Sequence, residues 1–200
     1  MNKLLKTSII AAGVITTIGC ITGSVSDDSV CGLQPITFTI PSLPSVPAGD
    51  ACLGLGDVSI PPLTTTTTID FASDINKVVD SGIASKLTVG VKSLTIDNSQ
   101  GDFDWVHSVD VQISTPTLPQ VDFATYTMTT ATPSQLDINV NMPAETVLQY
   151  VESGPVILTI TLAADTISAC AAEKLATMGG TLNSNIDVCI TASATFNKNL

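Results

Sequence analysis

The sequence predicts an all-β protein, an antiparallel Ig-like or fibronectin-like β-sandwich of about 7–8 strands with one or two short helical insertions. Three observations predict it. Beyond residue 63, apolar residues recur at every second position in a series of short segments, which is the period of a half-buried strand. Proline, glycine and clusters of Ser, Asn and Asp separate these segments. No long stretch carries a helical period, and short strands divided by turns suit two packed sheets.

Residues 1–20 precede that fold and read as a signal peptide. Lys3 and Lys6 open the chain without an acid, residues 7–19 carry no charge, and Cys20 follows Gly19. The apolar stretch is shorter than the roughly 20 residues a spanning helix needs, and polar residues follow it at once. The segment Thr17-Ile18-Gly19-Cys20 resembles the lipobox of bacterial lipoproteins, with Thr17 standing where that family has an aliphatic residue. The resemblance implies that Cys20 is the lipidated first residue of the mature chain. Ile21, rather than Asp, after the cysteine implies the outer membrane, facing the periplasm or the cell exterior. Cleavage near Ser26 is the alternative and gives a soluble secreted protein.

Cysteine parity bears on the same choice. Five cysteines are an odd number for an exported chain. Acylation of Cys20 leaves Cys31, Cys52, Cys170 and Cys189, an even set that an oxidising compartment would pair. Local bracketing favours Cys31 with Cys52 and Cys170 with Cys189, each closing a loop of about 20 residues for roughly 3 kcal/mol in the chain-entropy account. No C-x-x-C pair occurs and His107 is the single histidine, so a zinc site lacks ligands. After residue 20 the chain has five lysines, no arginine and eighteen acids, a net charge of −13. Such a surface is repelled by phosphate backbones, which excludes nucleic acid as a partner.

The elements follow in order. Residues 21–63 are rich in Pro, Ser and Gly and read as a tether with an edge strand at 36–40, where the prolines that follow suit a sheet edge. The sandwich domain then runs from 64 to 200. Thr64–Thr68 forms a strand that enters the sheet at Ile69 and Phe71. A short helix follows, capped by Ser73, with Ile75, Val78 and Val79 on one face and Gly82 at its end. Leu87, Val89 and Val91 alternate, and Leu94 and Ile96 resume on the opposite parity, so a bulge is expected around Lys92 and Ser93. Trp105, His107, Val109, Val111 and Ile113 share one face of the next strand, which Pro116 and Pro119 end. Strands are expected over 121–129, 136–142, 156–163 and 186–196, with helical insertions at 144–151 and 169–178.

The segments Thr68-Ile69-Asp70, Ser93–Ile96, Asp102–Ser114 and the closing alternating strand are similar to those of bacterial lipid-anchored β-sandwich proteins. That resemblance spans about residues 64–196 and carries no activity with it. Residues for catalysis are equally sparse. His107 lies on a strand face without a neighbouring nucleophile motif and reads as a sheet residue near the core edge. No nucleophile elbow, phosphate loop or zinc-protease motif occurs. The segment 97–104 places Asp97, Ser99, Asp102 and Asp104 around Gly101 in one turn, the hard oxygen donors that Ca²⁺ prefers. It lacks EF-hand spacing, and the same residues make ordinary turns. The reading is therefore a non-catalytic exported lipoprotein without a cofactor, a structural or interaction module held at the membrane by its lipid and facing envelope or surface proteins. The alternatives are a small-ligand or calcium-binding envelope protein and, at a distance, a hydrolase.

Overall fold

The computed structural model describes residues 21–41, 56–71, 84–98, 103, 105–128, 135–164, 166–177 and 180–198. These form strands β1 (Ile21–Thr39), β2 (Leu63–Ile69), β3 (Ala84–Asn98), β4 (Ser108–Ser114), β5 (Val121–Thr127), β6 (Gln135–Asp137), β7 (Asn139–Val140), β8 (Val156–Ala163) and β9 (Thr181–Lys198). Two helices interrupt them, α1 (Ala144–Glu152) and α2 (Ala169–Thr177). The predicted helix near residues 73–82 lies outside the described residues.

Two antiparallel sheets result, one ordered β1-β9-β3-β6 and the other β2-β8-β4-β5-β7. Their pairings are nested. β4 and β5 form a hairpin, and outward from it β3 pairs with β6, β2 with β8 and β1 with β9. The chain thus runs as one long hairpin whose two arms pair rung against rung and roll over, with β3–β9 and β4–β8 closing the sheets. The sandwich of the sequence reading is present. Its strand order is that of a jelly roll rather than the immunoglobulin order, because successive strands mostly alternate between the sheets.

The alternation read from the sequence decides what faces inward. β8 buries Val156, Leu158, Ile160 and Leu162 and turns Ile157, Thr159 and Thr161 outward. Opposite them the four-stranded sheet supplies Phe38, Leu94, Ile96, Leu136, Leu182 and Ile186, all essentially inaccessible. Each such side chain contributes roughly 1.5–3 kcal/mol of burial. The expected slip of parity in β3 is there as a register shift between Val91 and Ser93. The expected strand over 136–142 divides. Leu136 belongs to β6 in one sheet, Val140 to β7 in the other, and Ile138 crosses between them with its N–H donated to the Leu94 carbonyl.

Both helices have local causes. Pro143 opens α1, its carbonyl accepting from the N–H groups of Thr146 and Val147, and Gly154 at φ +121° lets the chain leave. Ser168 caps α2 through its Oγ, which accepts from Ala171 N at 3.2 Å. α1 packs Val147, Tyr150 and Val151 into the core and lies against β3. Thr115 ends β4 by turning its hydroxyl back to accept from Leu118 N at 2.9 Å.

Residues 21–35, read as tether, are strand. β1 begins at Ile21 and pairs with β9 along its length, with a bulge between Asp27 and Val30. Ser, Gly and Asp have low strand preference, so only the partner strand imposes extended structure here.

Candidate functional site

The outer face of the four-stranded sheet carries the chemistry that the described residues bring together. On β1, Cys31, Leu33, Pro35 and Thr37 point outward, and on β9 Asn183, Asn185, Asp187 and Cys189 lie beside them. Thr37 Oγ1 donates to Asn183 Oδ1 at 3.1 Å, and Leu33 stands 62% exposed. Register places Cys31 directly opposite Cys189, and the two are joined as a disulfide across 158 positions of sequence.

This overturns the expected pairing of Cys31 with Cys52 and of Cys170 with Cys189. Local bracketing failed because β1 is a strand of the sheet, and strand register set cysteine proximity. Cys170, half-buried on α2, is disulfide-bonded as well. Cys20 and Cys52 lie outside the described residues.

Asp187 sits two positions before Cys189 on the same face, its Oδ1 3.8 Å from the Cys189 sulfur. A disulfide sulfur has no proton to donate, so this is a contact and not a hydrogen bond. The Asp187 carboxylate and the two sulfurs all lie within 4.8 Å of one another, the one group of metal-type donors among the described residues. With the sulfurs bonded to each other, no thiolate is offered to a metal ion, and one carboxylate does not make a calcium site. What this arrangement can do chemically is narrower. It fastens an edge strand and sets a negative charge beside the bond that fastens it.

Of the calcium candidates, Asp97 lies one residue before the end of β3, half-buried, opposite Gln135 and Asn185. Ser99, Asp102 and Asp104 lie outside the described residues. Phe103, between them, is fully buried. His107 departs from expectation. Its side chain is exposed while Val106 takes the buried position, because Val106 N donates to Phe103 O at 3.0 Å in a turn before β4 and the strand starts only at Ser108. The His107 backbone still belongs to the sheet, donating to Ala163 O at 2.8 Å and accepting from Met128 N at 2.9 Å.

The outer face of the five-stranded sheet is rich in hydroxyls. Thr64, Thr66 and Thr68 of β2 stand beside Thr161, Thr159 and Ile157 of β8, and the hydroxyls of Thr64 and Thr161 are 3.2 Å apart. The threonine run therefore builds an edge strand. No helix among the described residues is long and apolar enough to cross a membrane.

No protein-family model matches the chain, and no curated protein matches it either. Among solved structures the chain is similar to that of Desmodium yellow mottle tymovirus, at 8% identity and a TM-score of 0.29, over 96% of this chain and 97% of that one. A similarity of that size carries no argument. Function has to be read from the residues.

Proposed function

We propose that the chain is an exported bacterial lipoprotein, a sandwich held at the outer membrane by Cys20 and acting as a structural or interaction module of the envelope without catalysis of its own. The Cys31–Cys189 disulfide carries the reading, since such a bond persists in an oxidising compartment outside the cytoplasm. Parity supports the anchor. With Cys31 and Cys189 joined and Cys170 disulfide-bonded, acylation of Cys20 leaves Cys52 as the thiol for Cys170 and no cysteine over. Ile21 after the cysteine favours the outer membrane.

Intact-mass and peptide spectrometry of the protein extracted from its host membranes tests this. The expected result is a mature chain starting at Cys20 with a diacylglyceryl modification, and its loss from the membrane fraction in Cys20→Ala. An unmodified terminus near Ser26 or Asp27 would establish a soluble secreted protein instead.

A further inference from the structure

We infer that the Cys31–Cys189 rung is a redox-gated metal site: on reduction its two thiolates and the Asp187 carboxylate hold one zinc-class divalent cation, and on oxidation they release it. The inference goes beyond the lipoprotein reading and needs neither the anchor nor the membrane. It starts from what keeps the two sulfurs together. Val30 is opposite Ile190, Gly32 is opposite Val188, and the ladder runs on to Thr39 and Thr181. On its other side β9 pairs with β3, which sets Ser93 beside Cys189 and Thr95 beside Asp187. Val188 and Ile190, which flank Cys189, are buried in the core. Breaking the sulfur–sulfur bond therefore leaves both thiols on one rung, Cys189 on an inner strand of the sheet and Cys31 on its edge neighbour.

Reduction changes what the rung offers. A dithiol reductant supplies two electrons and two protons and is itself oxidised to a disulfide, while the Cys31–Cys189 bond breaks to give two thiols. Metal binding then displaces those two protons, and each sulfur becomes a thiolate ligand. The third donor is already in place. Asp187 Oδ1 lies 3.8 Å from the Cys189 sulfur, and all three donor atoms lie within 4.8 Å of one another. Ligands about 2.0–2.3 Å from a tetrahedral zinc ion stand roughly 3.5–3.8 Å apart, so the carboxylate–sulfur spacing is already that of a zinc site. The sulfurs have to part to a similar distance. Rotation about their Cα–Cβ bonds covers it, since cross-strand β-carbons are about 4.5–5.5 Å apart. Two thiolates select against calcium and magnesium, and a carboxylate oxygen as third donor favours zinc over copper(I). Cys31 is exposed, so water and a dithiol both reach the rung. The net charge of −13 after residue 20 raises the local concentration of cations. The site is shut in an oxidising compartment and opens where a dithiol reductant reaches Cys31.

The test reduces the purified chain with dithiothreitol, desalts it without oxygen and titrates it with Co²⁺, whose colour reports its ligands. One Co²⁺ per chain is expected, with sulfur-to-cobalt charge-transfer absorption in the near ultraviolet and intense tetrahedral d–d bands that Zn²⁺ then abolishes. The oxidised chain should show neither. Cys31→Ser with Cys189→Ser keeps the other cysteines and should also show neither after reduction, which separates this rung from the remaining thiols. Asp187→Asn should keep the charge-transfer band, alter the d–d bands and bind at least tenfold more weakly. Because the ion binds the reduced form alone, free Zn²⁺ buffered at a hundred times its Kd should lower the ratio of reduced to oxidised dithiothreitol that half-opens the bond by about a hundredfold. Absence of tetrahedral bands from the reduced wild type, undiminished bands in the double Ser variant, or wild-type affinity in Asp187→Asn would each overturn the inference. So would loss of the strand signal in circular dichroism on reduction, since register has to hold the thiols together without the bond.

Discussion

Tyr150 shows how a single polar atom positions an element. Its ring is buried on α1, and its hydroxyl donates to the Pro119 carbonyl at 2.7 Å, tying the helix to the turn between β4 and β5. Tyr150→Phe should cost about 1 kcal/mol, or roughly 2–4 °C in melting temperature for a chain of this size, read by thermal denaturation. Asp187 acts on reactivity instead. Thiolates are the species that attack disulfides, and a carboxylate about 4 Å from the sulfur opposes their approach by roughly 1–4 kcal/mol between water and a protein surface. Asp187→Asn should therefore speed reduction of Cys31–Cys189 by dithiothreitol several-fold, measured by timed alkylation; an unchanged rate would show the charge is screened. Adding calcium should release no heat on titration and leave the melting temperature where it was. At this scale the sequence was a partial guide. It placed Val109, Val111 and Ile113 inward, but it carried the same parity back to His107, because a turn that breaks a period leaves no mark when apolar residues continue through it.

At the scale of elements, strong local signals were readable. Thr159 and Thr161 alternating with Leu158, Ile160 and Leu162 mark β8, and Pro143 and Gly154 bracket α1. β1 was not readable beyond residues 36–40. Val-Ser-Asp-Asp-Ser-Val-Cys-Gly has neither period nor propensity, and its extended form comes from β9, some 160 positions away in sequence. The disulfide followed that error. Closing a loop of this length stabilises by about 5 kcal/mol in the chain-entropy account, against roughly 3 for the short loops the spacing suggested. Replacing Cys31 and Cys189 by Ser together should therefore lower unfolding free energy by several kcal/mol in urea. Non-reducing peptide maps of the wild type should show those two cysteines linked, and a Cys31–Cys52 peptide would refute the register.

For the whole molecule, nesting matters most. Because the arms of the chain pair outward from the β4–β5 hairpin, the outermost rungs join the residues most distant in sequence. Folding should be slow, in milliseconds to seconds or longer, as loop closure over such separations precedes its reward. Stopped-flow refolding with the disulfide intact should be faster than in the double Ser variant. The same nesting gives the protein a mechanical character. Tension applied at Ile21 against the body pulls β1 away from β9 from its Ile21 end, so rungs break singly instead of sharing the load. Ten residues, 21–30, unzip this way and pay out about 35 Å of chain. The covalent rung at Cys31–Cys189 then stops the tear before Ile36 and Phe38 leave the core. Under pulling, the first stretch of β1 is a shock absorber, and the disulfide is its end stop.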